Sequence, residues 1–218
     1  MYIEYAIYDT AVNEAEFKSS LTEIIKFHPD SISVLPAYLK VAKGLLGDQS
    51  NIKLSCPIDY PMGLMDLKSR ITATEQAIKG GVKIIDIVCP SIILSNRKYD
   101  RFREDVKTIY DLCLLSNIQL RYFLEYRIYS YELLYKIVSI LYESGITTVF
   151  PSTGHFLDDI YDNILASALI NKKVPNVNII CNGNAWNSQH YGAIKKANLY
   201  GIRTCSLNGL KLLKDQNI

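Results

Sequence analysis

Among the charged residues on apolar, strand-like runs of this chain, where a charge needs either a partner or a chemical role, three stand out. They are Asp86 within residues 83–88, and Arg121 and Glu125 within residues 119–125. Successive side chains of a strand point to opposite faces, so Ile84, Asp86 and Val88 share one face, and Arg121, Phe123 and Glu125 share another. A buried aspartate at a barrel centre needs a partner, and Arg121 is available to it; the three can sit in an Asp86–Arg121–Glu125 ion network that only ties strands together. Arg121 cannot act as an amine nucleophile, because a guanidinium stays protonated with a pKa above ~12.

Histidines and cysteines offer a second set of candidates. His155 and His190 fall in loops after predicted strands, whereas His28 precedes one. With Asp86 and Glu125 the first two could form a metal or acid–base site, but no His-x-His or His-x-x-x-His spacing supports it. Solvent-exposed loop histidines are the simpler reading, and neither a metal nor a cofactor is expected. Cys56, Cys89, Cys181 and Cys205 fall at or near the C-terminal ends of predicted strands, and Cys113 makes the number odd. Without Cys-x-x-Cys spacing they read as reduced, packed thiols of a cytoplasmic protein. The tyrosines Tyr122, Tyr126, Tyr129, Tyr131 and Tyr135 read as packing over one strand and its helix.

These residues need elements to hold them. Short apolar runs at residues 3–8, 31–35, 53–56, 83–88, 119–125, 147–150, 178–181 and 202–206 read as strands. Between them, residues 14–27, 36–46, 67–79, 100–116, 131–144, 157–170 and 189–200 read as helices, and residues 208–218 as the stub of a last one. Eight strand–helix alternations predict an α/β fold of the (β/α)₈ TIM-barrel type; a doubly wound sheet usually has five or six strands. No linker or low-complexity stretch interrupts the 218 residues, so one domain spanning 1–218 is expected. A formal charge of +2 leaves no broad footprint for nucleic acid. No apolar run reaches the ~20 residues that span a bilayer, and the first residues lack a signal peptide's basic and apolar regions.

Six short motifs then follow one another along the chain. They are Tyr8-Asp9-Thr10, Ser33-Val34-Leu35-Pro36, Tyr60-Pro61-x-Gly63, Ala77-Ile78-x-x-Gly81-x-x-Ile84-Ile85-Asp86, Leu120-Arg121-x-x-x-Glu125 and Ser152-Thr153-Gly154. Together they resemble the deoxyribose-phosphate aldolase family, whose members read Asp-His-Thr, Cys-Val-x-Pro, Phe-Pro-x-Gly, Ala-Ile-x-x-Gly-Ala-x-Glu-Ile-Asp, Leu-Lys-x-x-x-Glu and Ser-Thr-Gly at these places. The resemblance implies a TIM barrel and a class I aldolase, which cleaves or forms a carbon–carbon bond next to an aldehyde through an imine on lysine. It implies that Asp86 shuttles protons through an ordered water. It also implies substrate contacts at Asp9, Ser152, Thr153, Gly154, Asn182, Gly183 and Ser206.

The chain departs from the family at the residues that would do this chemistry. The family's Lys-Thr-Ser-Thr-Gly aligns with Phe150-Pro151-Ser152-Thr153-Gly154, so Phe150 stands where the imine-forming lysine should be. The second lysine of the family falls on Cys181 or Asn182, depending on a one-residue alignment choice. Asn184-Ala185-Trp186-Asn187 and Arg203-Thr204-Cys205-Ser206 replace the Gly-Gly and Gly-x-Ser-Ser segments whose backbone N–H groups bind phosphate.

Two classes of function follow. One is an enzyme acting by acid–base chemistry on a small sugar phosphate or aldehyde, with Asp86 as shuttle and Arg121 and Glu125 orienting it. The other is a catalytically inactive binding or assembly subunit, as a homo-oligomer or with an active paralogue, in which Phe150 and Trp186 fill the old pocket. A migrated lysine is the weakest reading, since Lys53 and Lys83 both begin strands, on the stability face of a barrel.

Overall fold

A computed structural model of the chain describes residues 1–156, 159–182 and 187–215. Eight parallel strands close on themselves in sequence order: β1 (Tyr2–Ile7), β2 (Ser31–Val34), β3 (Lys53–Ile58), β4 (Ile84–Val88), β5 (Gln119–Phe123), β6 (Thr148–Phe150), β7 (Asn178–Asn182) and β8 (Gly201–Thr204). The connecting helices are α1 (Glu14–Ile25), α2 (Leu39–Leu46), α3 (Leu67–Lys79), α4 (Ser91–Ser95), α5 (Tyr99–Leu115), α6 (Tyr131–Glu143), α7 (Ile160–Lys173), α8 (Ser188–Lys196) and α9 (Leu207–Asp215). This is the (β/α)₈ barrel expected from the alternation. None of the described helices is long and apolar enough to cross a membrane.

Elements differ from expectation where local chemistry stops or starts them. Pro36 opens a 3₁₀ turn, Pro36–Tyr38, ahead of α2. Strand β5 ends at Phe123 rather than at residue 125, because Glu125 has a φ of 65° and leaves the extended region. The short helix α4 was not anticipated. Helix α7 starts at Ile160, where the Asp159 side chain accepts from the Tyr161 N–H; residues 157 and 158 lie outside the described set.

Strand alternation sorts the core into two layers. Outward residues such as Ile85, Ile87, Tyr122, Val149, Ile179 and Cys181 pack beneath Phe102, Ile109, Ile137, Leu141 and Ile170 of the helices. Inward residues Val88, Phe123, Phe150 and Ile180 form a separate cluster, with Tyr2 and Tyr60 packed against it. Each large apolar side chain buried this way contributes about 1.5–3 kcal/mol. The barrel axis is therefore filled, as in TIM barrels generally. All strands run the same way, so the connections after their C-terminal ends gather at one mouth.

Candidate functional site

The strand register brings four charges to the barrel axis. Asp86 on β4 is level with Arg121 on β5, and Glu4 on β1 is level with Arg203 on β8. Asp86 accepts from Arg121 Nε at 2.6 Å and Nη2 at 2.9 Å, from Ser55 Oγ at 2.7 Å, and from Arg203 Nη2 at 2.5 Å. Glu4 accepts from Ser31 Oγ and Arg203 Nε, both at 2.5 Å, and also pairs with Arg121 Nη2. Two carboxylates and two guanidiniums thus form a fully buried quartet of zero net charge. Burial pushes the Asp86 carboxyl up, but the Arg121 and Arg203 guanidiniums and the bonds from Arg121 and Ser55 outweigh it and hold the pKa below the usual aspartate value. Burial likewise opposes the charge on Arg121, and Asp86 and Glu4 more than restore it.

An aromatic layer roofs this quartet. The Phe150 ring centroid lies 4.1 Å from Arg203 Cζ and 4.9 Å from Arg121 Cζ, so one ring faces both guanidiniums. Phe123 lies 4.7 Å from Arg203 Cζ and 4.7 Å from the Phe150 centroid. Tyr60 packs on Tyr8 at 4.8 Å and on Phe123 at 5.9 Å, and its hydroxyl donates to the Thr153 carbonyl at 3.2 Å. Lys53 and Lys83 are exposed, at the start of β3 and just ahead of β4, remote from this layer.

Tyr60 owes its position to a second buried ion cluster on the helix side of the barrel. Asp59 accepts from the N–H groups of Leu64 at 2.9 Å and Met65 at 3.0 Å, and from Arg70 Nη1 at 2.7 Å. Arg70 also donates to the Val88 carbonyl at 2.8 Å and to Asp105 at 3.0 Å. The Asp105 carboxyl is pushed up by burial, against the pull of Arg70. The loop carrying Tyr60 is therefore tied to α3 and α5 from beneath.

Glu125 does not join the central network, which corrects the expected Asp86–Arg121–Glu125 arrangement. Its left-handed backbone turns the side chain to the β6 connection. There Oε2 accepts from Thr153 N at 3.1 Å and from Thr153 Oγ1 at 2.6 Å. The residue is 3% exposed and its Oε1 has no hydrogen-bond partner. The partners that take Glu125's place beside Arg121 are Glu4 and Arg203. Their signal was present in the sequence, since each is a lone charge on a short apolar strand, yet Glu4 lies in no motif and Arg203 was read only as part of the segment that replaces Gly-x-Ser-Ser.

The other anticipated residues divide by depth. Ser152 and Thr153 are buried, and Ser152 Oγ accepts from the Gly154 N–H at 2.9 Å. Gly154 is exposed with a φ of 74°, and a Cβ there would come within 2.9 Å of Asn182 Nδ2. Asn182 ends β7 and donates to the Ser152 carbonyl at 3.1 Å, while Cys181 Sγ lies 3.1 Å from Asn163 Oδ1 on α7. Asn182 is thus the strand-seven residue at the mouth, and Cys181 faces the helices. Asp9 is exposed and accepts from the Ala11 N–H at 2.8 Å. Ser206 is half-buried and its Oγ accepts from the Gly209 N–H at 3.2 Å, in the first turn of α9. Gly183 and Trp186 lie outside the described residues. His155 sets its ring against Tyr60, 6.5 Å away, and His190 against Tyr161, 5.6 Å away, so the two loop histidines have different neighbours.

No family model matches the chain. Its sequence is 30% identical over 108 residues to the deoxyribose-phosphate aldolase of Bdellovibrio bacteriovorus, covering 50% of this chain and 49% of that one. It is 28% identical over 111 residues to the Caldicellulosiruptor saccharolyticus enzyme of the same name, covering 51% and 50%. The aligned stretch therefore spans about half the length of these relatives. A further relative of that name, from Metamycoplasma hominis, is 24% identical over 153 residues, covering 70% of this chain and 69% of its own. Among solved structures, the aldolase QR15 superposes with a TM-score of 0.86 at 21% identity, covering 99% of this chain and 96% of that one. The tetrameric deoxyribose phosphate aldolase of Aeropyrum pernix superposes with 0.85 at 18%, covering 98% and 90%. Likeness at these identities speaks for the fold.

Proposed function

Starting from a chain that is a deoxyribose-phosphate aldolase-like TIM barrel, we propose that it has left Schiff-base chemistry and works as a binding or assembly barrel. The observation that carries this reading is the Phe150 ring, 4.1 Å from Arg203 Cζ, in the segment that the resemblance to the aldolase family sets against its lysine. An imine needs a deprotonated primary amine, and neither a phenyl ring nor a guanidinium provides one. Asp86 supports the same reading. Held deprotonated by two guanidiniums and a serine hydroxyl, it is a weak base with no open approach for a substrate. A homo-oligomer in the cytoplasm is the natural setting for such a barrel, with sedimentation velocity the check on assembly.

The test is to incubate the protein with deoxyribose 5-phosphate or acetaldehyde plus borohydride and record the intact mass. The expected outcome is no adduct, beside a lysine-bearing aldolase that traps under the same conditions. An adduct mapped to one lysine overturns the reading.

One observation favours a second reading, an acid–base enzyme acting on a small sugar phosphate or aldehyde. Glu125 has a partnerless carboxylate oxygen beside Thr153 at the mouth, where Ser152, Gly154, Asn182 and Ser206 also lie. In that case Glu125 takes the proton, and Asp86 and Arg121 form the fixed floor beneath. Deuterium uptake from D₂O at the carbon next to the carbonyl, abolished in Glu125→Gln, would distinguish it.

A further inference from the structure

Glu125 breaks the rule that this chain otherwise keeps for buried charge. Its carboxylate is 3% exposed, Oε2 is occupied by Thr153, and Oε1 receives no hydrogen bond. Among the described residues no lysine, arginine or histidine nitrogen forms an ion pair with it. Buried carboxylates are ordinarily paired, as Glu4 and Asp86 are here. The backbone compounds the anomaly, because a non-glycine residue sits at a φ of 65°. That conformation is locked from both sides, by Leu124 N donating to the Phe150 carbonyl at 2.9 Å and Tyr126 N donating to the Pro151 carbonyl at 2.8 Å. The side chain is thus held in place, with one oxygen left to bind something else.

The surroundings say what kind of group that is. The Tyr129 hydroxyl is also buried, with no well-formed hydrogen bond and only a weak side-chain interaction with Ser91. Tyr60 stands over Thr153; burial keeps the Tyr60 and Tyr129 phenols protonated, the Glu125 charge adds a minor push to both, and Arg203 pulls Tyr60 the other way. An anionic oxygen to which no described cation is paired, a hydroxyl and aromatic rings favour a compact positive donor and disfavour phosphate or carboxylate. No group of three or more His, Cys, Asp or Glu able to hold a metal ion exists among the described residues, so a multiply charged metal is a poor fit. Gly154 and His155, next in sequence to Thr153, are exposed, so the carboxylate lies just beneath the surface of the mouth.

We propose that the loops after β4, β5 and β6 form a binding site for the primary ammonium group of a small ligand, with Glu125 Oε1 as its anionic acceptor and the Tyr129 hydroxyl as its second polar contact. The proposal deepens the binding reading above and rests on it only in requiring a mouth that takes a ligand. Methylammonium chloride is the probe, titrated at constant ionic strength while the Thr153 amide is followed by ¹⁵N–¹H correlation spectroscopy. That amide reports directly because it donates to Glu125. The expected result is a saturable shift, weakened at least tenfold in Glu125→Gln and severalfold in Tyr129→Phe, with potassium chloride giving none. Tyr129→Phe keeps the ring, so it tests the site without disturbing packing. No saturable shift, an equal response to potassium, or titrations unchanged in both variants overturns the proposal. Borohydride trapping uses no amine ligand, so an adduct there defeats the binding reading while this titration stands, and a blank titration defeats this proposal alone.

Discussion

Asp86 and Glu125 are both buried carboxylates, one at the barrel centre and one just beneath the surface of its mouth, and they meet opposite electrostatic environments. Asp86 has two guanidiniums and a serine hydroxyl around it; Glu125 has one threonine. Desolvating a charge is tolerable when the protein supplies its own counter-charge, and a group so satisfied has little left to offer a ligand. On the reading proposed above, the centre serves structure and recognition belongs at the mouth, where a buried charge still lacks its complement.

The comparison breaks most easily at the centre. Arg203→Met removes one of two cations from a quartet with two anions, leaving Glu4 and Asp86 to share Arg121. Breaking a buried pair by removing one partner costs about 3–5 kcal/mol. Urea denaturation should show a loss of that size, and a loss below about 1 kcal/mol would mean the quartet does not hold the barrel. Phe150→Leu should cost less, about 1–2 kcal/mol, since an apolar side chain still fills the axis and only ring packing and the facing guanidiniums are lost. A neutral outcome would say that Phe150 is a passive filler.

Acid sharpens the same contrast. The folded Asp86 carboxyl has a pKa below its ordinary value of ~3.9, so its stabilisation is complete above that value and disappears as pH falls through the folded pKa. Asp105 is shifted the other way. Its folded carboxyl holds its proton more tightly than the unfolded one, so its favourable term is complete at low pH and is lost as pH rises through the raised value. Urea midpoints measured from pH 3 to 7 should therefore show a shallower acid limb in Asp86→Asn and a steeper one in Asp105→Asn, each relative to the parent. Equal limbs would remove the electrostatic difference between the two clusters.

The barrel was legible in the sequence because eight apolar runs alternate with amphipathic stretches, and each strand's two faces follow from its register alone. The resemblance of Ser152-Thr153-Gly154 to the family set Phe150 at the lysine position, and the structure turns its ring inward against the two guanidiniums. The quartet was read only in part. Strand alternation gave Asp86 and Arg121 their inward faces, but which inward residues meet depends on how eight strands stagger around the axis, and Glu4 and Arg203 are joined across 199 positions of sequence. Glu125 was assigned to the wrong neighbour for a local reason. Period-two counting assumes that the strand continues, and its left-handed backbone ends the count two residues after Phe123. The Asp59–Arg70–Asp105 tie was missed for a similar reason, because its residues come from a loop and two helices that no single periodicity links.

Glu125→Gln should have the smallest effect on stability and carries the most information about the mouth. The carboxamide oxygen can still accept from Thr153 N and Oγ1, so the bonds that fix the loop survive. The substitution removes a buried charge that has no counter-ion, and the amide N–H₂ needs an acceptor where Oε1 had no donor. These two effects oppose each other, and the net change is expected within about 1 kcal/mol of zero. A melting temperature close to that of the parent, with the methylammonium response gone, would separate recognition at the mouth from stability at the centre. A large loss of stability would instead mean that Glu125, like Asp86, is committed to holding the fold.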